Sequence, residues 1–436
     1  MTATLRKDAA RGAATEARLA ALTLPRGGFT AAARAAAQAR LRAAGLPARR
    51  DEYWRYTDPT PLTAVDVAAA SPFAAGDEAL LFDSLDRVVI TFADGAFDAG
   101  RSGDLTLAGA EVGRLAEADR VDLHWARDLY GALETRGQDP VARPLAALNT
   151  AAATDGVLIR VTGKATNPVH LNYLNITSDS DAILHHCIKV EAGAELTLLE
   201  TGAGAMRLNT VVEVDVAEGG RFHHVRAQGH DPVHHAVTHI FARLGAGALF
   251  KSFTLGANGG LMRNECVIDI QGDGAVAHVA GAALGDGATG DFHHDDTVFV
   301  THAAIGCESR QVFKKVLRNG ATGVFQGKIL VRPGAQKTDG YQISQALLLD
   351  DDSQFLAKPE LEIYADDVKC SHGSTTGAID ETALFYLRSR GVPREQATAL
   401  LVLSFLADAI AEIEDAGLAA EIADRLEDWL GRGRQR

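Results

Sequence analysis

Four glycine-led segments recur at a single interval in the middle of this chain. Gly193, Gly220, Gly247 and Gly274 lie in AGAELTLLE, EGGRFHHVR, GAGALFKSF and GDGAVAHVA, and successive glycines are 27 residues apart. A turn glycine at one phase with a β-prone run after it describes a unit that cannot bury its own apolar residues and must stack on the next. The spacing therefore predicts a β-solenoid with coils about 4.8 Å apart, buried by neighbouring coils without covering helices. The rival is a large antiparallel sandwich, whose turns seldom keep one interval three times. After Gly274 the next marks are Gly320-Ala321 and Gly334-Ala335, which places an insertion or altered coil between them.

The flanks read differently. Ala31 to Ala44 is a run of good helix formers stopped by Gly45 and Pro47, Arg87 to Phe92 reads as a strand, and Gly113 to Leu133 is partly helical. Beyond the β portion, Asp380 is an N-cap for a helix from Glu381 to Ser389, Pro393 starts a second, and Leu418 to Leu430 forms a third. The expected organisation is an N-terminal helical or mixed region 1–155, a mainly β solenoid core 156–379 and a C-terminal helical region 380–436. The last three helices have broad apolar faces, which either cover one end of the solenoid or dock a partner.

Charge and cysteine content exclude several classes of function. With 43 basic and 57 acidic residues the net charge is −14, contrary to what a nucleic-acid groove requires. The first 57 residues alone carry eleven basic and four acidic side chains, an Ala-rich basic arm best read as a solvated helical surface. The longest nearly apolar run, Ala399 to Ile410, is too short for a bilayer and no h-region opens the chain, so a cytoplasmic protein is expected. Cys187, Cys266, Cys307 and Cys370 are too far apart for a local CxxC site and read as free thiols.

Three local patterns invite chemistry. Gly285 to Gly290 is a literal GxGxxG, but an alternating strand pattern follows it, so it reads as a solenoid turn; no GxxxxGK[ST] is present, and any ATP is bound by another chain. The pairs His185-His186, His223-His224, His234-His235 and His293-His294 resemble metal clusters, yet strand neighbours point to opposite faces, so each pair offers at most one inward ligand. His293 to Asp296 is the densest polar knot. The sharpest pattern is Lys369-Cys370-Ser371-His372-Gly373: residues two apart on a strand share a face, so Cys370 and His372 can converge on one metal ion or cluster, or His372 can favour the thiolate. Two ligands cannot hold a cluster alone.

The segment KPELEIYADDVKCSHGSTTGAIDETALFYLRSRGVP, Lys358 to Pro393, resembles the C-terminal signature of the SufB/SufD family of iron–sulfur cluster assembly proteins. The resemblance continues through His302 to Leu317, Gly323 to Gln342, Leu347 to Ser353 and, near the start, DEYWRYT at Asp51 to Thr57. CSHG and FYLRSRG are similar to SufD-type rather than SufB-type members, although Ser374 and Thr376 depart from the more usual Ala and Val. This resemblance implies a right-handed parallel β-helix with helical flanks and a non-catalytic scaffold role. It implies a heterodimer with SufB through the β-helices, a SufC ATPase held by the C-terminal helices, and a transient iron–sulfur cluster at the SufB interface. Transferred residue by residue, His372 is the contribution to that cluster site with Cys370 beside it, and Tyr386, Arg388 and Arg390 are the SufC-binding residues. A homodimer in isolation is compatible with it, and flavin binding stays open. The alternatives are a SufB-like sulfur acceptor using Cys266 or Cys307, and a stand-alone β-helix enzyme acting on a polysaccharide, which needs paired carboxylates on one solenoid face.

Overall fold

The computed structural model describes residues 3–72, 81–229, 233–257 and 259–432. Its strands are β1 (Val88–Ala93), β2 (Ala96–Phe97), β3 (Ala110–Arg114), β4 (Val157–Val161), β5 (Val169–Leu174), β6 (Asp181–Val190), β7 (Glu195–Gly202), β8 (Arg207–Val216), β9 (Arg221–Gly229), β10 (His235–Leu244), β11 (Leu249–Ala257), β12 (Leu261–Ile270), β13 (Val276–Asp286), β14 (His293–His302), β15 (Glu308–Arg318), β16 (Thr322–Val331), β17 (Asp339–Leu348), β18 (Gln354–Ile363) and β19 (Lys369–Gly377). From β4 onward odd and even strands separate. One sheet runs β19-β17-β15-β13-β11-β9-β7-β5-β1-β2 and the other β18-β16-β14-β12-β10-β8-β6-β4-β3. From β6 onward every neighbour in a sheet is parallel and two strands away in sequence, which is the parallel solenoid the repeat predicts.

The period is less regular than the sequence suggests. Strand register makes Gly193, Gly219, Gly247, Gly274 and Gly306 equivalent, so these coils contain 26, 28, 27 and 32 residues. The Gly219-Gly220 pair hid a one-residue shift, and the next mark is Gly306 rather than Gly320 or Gly334. All five glycines have φ between 60° and 67°, and a side chain there would meet nothing within 4 Å, so backbone conformation rather than crowding requires glycine. Their N–H groups donate to the following coil's turn, for example Gly247 to Asp273 O at 2.8 Å. The expanded coil accommodates the Gly285 to Gly290 loop, an extension of β13 and a 3-10 turn at Gly287–Thr289.

Alternating residues fill the lumen, where Ile188, Val212, Ile240, Cys266 and Val298 meet Leu196, Phe222 and Phe250. Contrary to the expectation of bare coils, helices cover both outer faces. The C-terminal helices α7 (Glu381–Ser389), α8 (Arg394–Ile410) and α9 (Ala416–Arg432) do not close an end of the solenoid. Val402, Leu406, Ile410, Ile422 and Leu426 instead bury Val225, Phe253, Leu255, Ala280, Ala282 and Val312 on the outside of the odd-numbered sheet. Its outward rows are as apolar as its lumen rows, so it must be sandwiched. Lys314 to Asp408 at 3.0 Å and Arg221 to Glu414 at 2.6 Å pin this layer.

The even-numbered sheet is covered by the N-terminal helices α1 (Ala3–Ala20), α2 (Ala31–Ala44), α3 (Thr60–Thr63), α4 (Leu115–Ala118), α5 (Ala132–Arg136) and α6 (Pro144–Ala152). Part of the basic arm is consumed here. Arg18 pairs with Asp181 at 2.6 Å, Arg11 with Asp51 at 2.8 Å and Arg42 with Glu16 at 2.8 Å, while Arg40 bonds the buried Glu134. DEYWRYT is a clamp on the same sheet. Trp54 lies 4.1 Å from the Arg263 guanidinium, Thr57 Oγ1 donates to Asp295 Oδ2 at 2.5 Å, and Tyr53 Oη donates to Glu360 at 2.6 Å. Arg263 in turn bonds Asp295 and Glu265, and Arg143 bonds Glu265 at 2.9 Å, a buried charge set that is balanced.

Candidate functional site

The solenoid ends on β18 and β19, each paired on one side only. Lumen positions that are sealed one coil earlier are uncovered here: Phe325, Ile329 and Val331 are fully buried, whereas Ala357, Leu361 and Ile363 beside them are partly or well exposed. Pro359 sits in β18, where an edge strand tolerates the missing N–H. In β19, Cys370 pairs with Gly340 and His372 with Gln342, so both occupy the lumen-facing rows and share a face. His372 is exposed and Cys370 half-buried.

Gly340 makes room for the thiol. A Cβ built on it would stand 3.2 Å from Cys370 Sγ, which packs with Ile329, Val331 and Leu361. Burial pushes the Cys370 thiol above its ordinary pKa, against a hydrogen bond from the Gly340 backbone that acts the other way. On the outer side, Arg310, Asp339, Tyr341, Lys369 and Ser371 line an open depression next to Cys370. The arrangement offers one imidazole and one thiol at an uncapped edge, able to ligate a soft or borderline metal if another surface supplies the remaining ligands.

The other motifs fall elsewhere. The histidine pairs that lie within strands divide between faces as the parity argument requires: for example, His186 Nε2 is 3.1 Å from Tyr173 Oη inside, while His185 faces out beneath the helices. His234 precedes β10, so parity does not govern the His234-His235 pair. The His293 to Asp296 knot divides likewise, with Asp295 bonded to Arg263 outside and Asp296 to Lys315 at 2.6 Å inside. It is not one site. Gly285 to Gly290 leads into β14, not a helix of useful length. All four cysteines are free. Cys266 and Cys307 are buried, and burial raises both thiols, that of Cys266 to about 12.

Residues 173–405 match the family described as the SUF system FeS cluster assembly, SufBD core domain. The chain belongs to the SufB/SufD family of iron–sulfur cluster assembly proteins. It is 29% identical to the iron–sulfur cluster assembly protein SufD of Escherichia coli K12 over 406 residues, covering 89% of this chain and 90% of that one. It is 27% identical to a SufBD family protein of Synechocystis over 86% of each chain, and 26% identical to SufD of Bacillus subtilis over 65% of this chain and 66% of the relative. Within the SufB/SufD family the similarity is thus to SufD.

Two further features of this SufB/SufD family chain were only partly visible in sequence. At the C-cap of α7 the Arg390 guanidinium stacks 3.5 Å over the Tyr386 ring, whereas Arg388 follows the buried Leu384 by one turn. Phe385, not singled out by sequence, is 73% exposed and adjoins Tyr386 at 55%. The second feature is a buried group of His185, Cys187 and Glu213, whose ligand atoms all lie within 4.8 Å of one another. His185-x-Cys187 has the same strand parity as Cys370-x-His372 and was a usable signal; Glu213 required the register of β8 against β6.

Proposed function

We propose that this chain is a scaffold subunit in iron–sulfur cluster assembly, pairing with a SufB partner through the open end of its solenoid and contributing His372, with Cys370 beside it, to a cluster-building interface. The observation that carries the reading is the placement of His372: a lumen-facing imidazole on the terminal strand, exposed because no further coil follows. A second solenoid stacked on β18 and β19 would pair their free edges and enclose both side chains. The nascent cluster is cargo, held transiently, and the partner's thiolates supply the ligands this chain lacks.

The C-terminal helices are the proposed seat of a SufC ATPase, with Phe385, Tyr386, Arg388 and Arg390 on its contact surface. Exposed aromatic rings beside guanidinium groups are the composition of an interface centre. Nucleotide binding and hydrolysis belong to that partner, and this chain is not itself an enzyme. SufC closure on ATP moves the scaffold only through contacts that differ between the two states, and α8, pinned to β15 by Lys314 and Asp408, is the connection from α7 to the solenoid. The role is placed in the cytoplasm. Co-purification with SufB and SufC, with and without substitutions in α7 and β19, tests it: a complex lost on Phe385→Asp or on breaking the β19 edge is expected, and the absence of any complex for the unaltered chain overturns the proposal.

A further inference from the structure

We infer that His185, Cys187 and Glu213 form a binding site for one divalent transition-metal ion of the zinc or iron(II) type, buried between the outer face of β6 and β8 and the helices α5 and α6. The site lies on strands remote from β19, so it is separate from the Cys370 and His372 pair and does not rest on the proposed function.

The placement follows from the backbone. His185 and Cys187 are two apart on β6 and share its outward face, and Glu213 of β8 stands directly beside Cys187 in register. His185 Nε2 is 2.9 Å from Glu213 Oε2, and Cys187 Sγ is 4.0 Å from the same oxygen. Ligands of a tetrahedral ion at ~2.0–2.3 Å lie roughly 3.3–3.8 Å apart, so small side-chain adjustments close the set. None of the three is exposed.

The neighbours prepare the ligands. Asn149 Nδ2 donates to Leu184 O at 3.0 Å and Asn209 O at 2.9 Å, which leaves its Oδ1, 3.1 Å from His185 Nδ1, as the acceptor of the ring N–H. That fixes the tautomer and aims the Nε2 lone pair at Glu213, the outer-shell arrangement that orients a metal-bound histidine. Gly131 N and Glu134 N donate to the two Glu213 oxygens at 2.5 and 2.8 Å, and the Tyr130 ring lies 4.2 Å from that of His185. Charge also closes. The ion displaces one proton from the thiol and one from the carboxyl, both released to solvent; thiolate and carboxylate cancel the two positive charges without any change of oxidation state. A neutral assembly avoids the cost of burying net charge.

Because the site is covered by helices, loading is tested by refolding the full chain with Co²⁺, whose thiolate charge-transfer band in the near ultraviolet reports cysteine ligation. The expected result is one Co²⁺ per chain, a band that survives Cys370→Ser, disappears in Cys187→Ser and is bleached by Zn²⁺. A wild-type chain without the band, or a band untouched by Cys187→Ser, overturns the site and leaves a hydrogen-bonded histidine–carboxyl pair. Should Cys187→Ser fail to refold, His185→Gln decides: at least a tenfold loss of Co²⁺ affinity supports the site, and unchanged affinity overturns it.

Discussion

His372 occupies on β19 the lumen position that Gln342 occupies one coil earlier on β17. The row runs His224, Ser252, Val279, Gln311, Gln342, His372 across successive strands. Gln342 is fully buried and donates to Gln311 Oε1 at 2.7 Å. His372 has the same orientation but no coil above it. An interior position has become a surface position because the stack stops, and the imidazole is offered to whatever docks on that edge.

That contrast separates stability from function. His372→Ala is expected to change unfolding free energy by no more than about 0.5 kcal/mol, as for other exposed substitutions. Gln342→Ala, which strips a partner from buried Gln311 and leaves a void, should cost about 1–3 kcal/mol. Chemical denaturation of the two variants checks this; equal losses would contradict the open-end description.

The clamp formed by DEYWRYT should be expensive to break on one side. Asp295→Ala leaves the Arg263 guanidinium buried against Trp54 with Glu265 shared between it and Arg143. Removing one member of such a set typically costs about 3–5 kcal/mol. Denaturant midpoints should fall accordingly, and Trp54 fluorescence should report early exposure.

Acid should unfold the chain through its histidines. Burial is the leading cause that pushes His170, His186, His239, His294 and His302 each down to about 4. An unfolded histidine titrates near 6.5, so between these values the unfolded chain binds protons that the folded chain refuses. Stability from these groups is complete above pH 6.5 and is lost as pH falls toward 4. The buried carboxyls of Glu213 and Glu134, raised by burial to about 8 and about 7, act in the opposite direction as pH falls but are outnumbered by the five rings below pH 6.5. Thermal midpoints should therefore decline between pH 6.5 and 5, and midpoints that do not decline there would contradict the burial of these rings.

The α7 surface should be silent in the isolated chain. Phe385→Asp and Tyr386→Ala remove exposed rings, so melting should stay within about 0.5 kcal/mol of wild type. Association with SufC should weaken by about tenfold or more if these rings anchor it. Binding measured by calorimetry or pull-down distinguishes the two effects, and retention of full affinity would move the contact off α7.

Local signals carried much of the fold into the sequence. The α2 and α7 helices run over the residues their caps predict, because Gly45 and Asp380 act within one turn. The Gly193 to Gly274 repeat announced the solenoid, and strand parity divided the histidine pairs between faces. What failed to show was long-range. Nothing near Ala280 or Val312 states that α8 will cover them, since lumen rows and helix-covered rows are equally apolar. Glu213 meets His185 only through the pairing of strands 26 residues apart in register, and Phe385 gains meaning only once α7 is seen to bury little besides Leu384. Coil lengths of 26 and 28 average to 27, so a one-residue shift at Gly219 left the interval looking regular.

The most direct measurement is the visible absorption of the cluster formed when this chain, SufB and SufC are purified together and reconstituted anaerobically with iron and sulfide, comparing wild type with His372→Ala. The account predicts that the variant assembles the same complex but forms no cluster band. An intact complex with an undiminished band would contradict the assignment of His372 to the cluster-building interface.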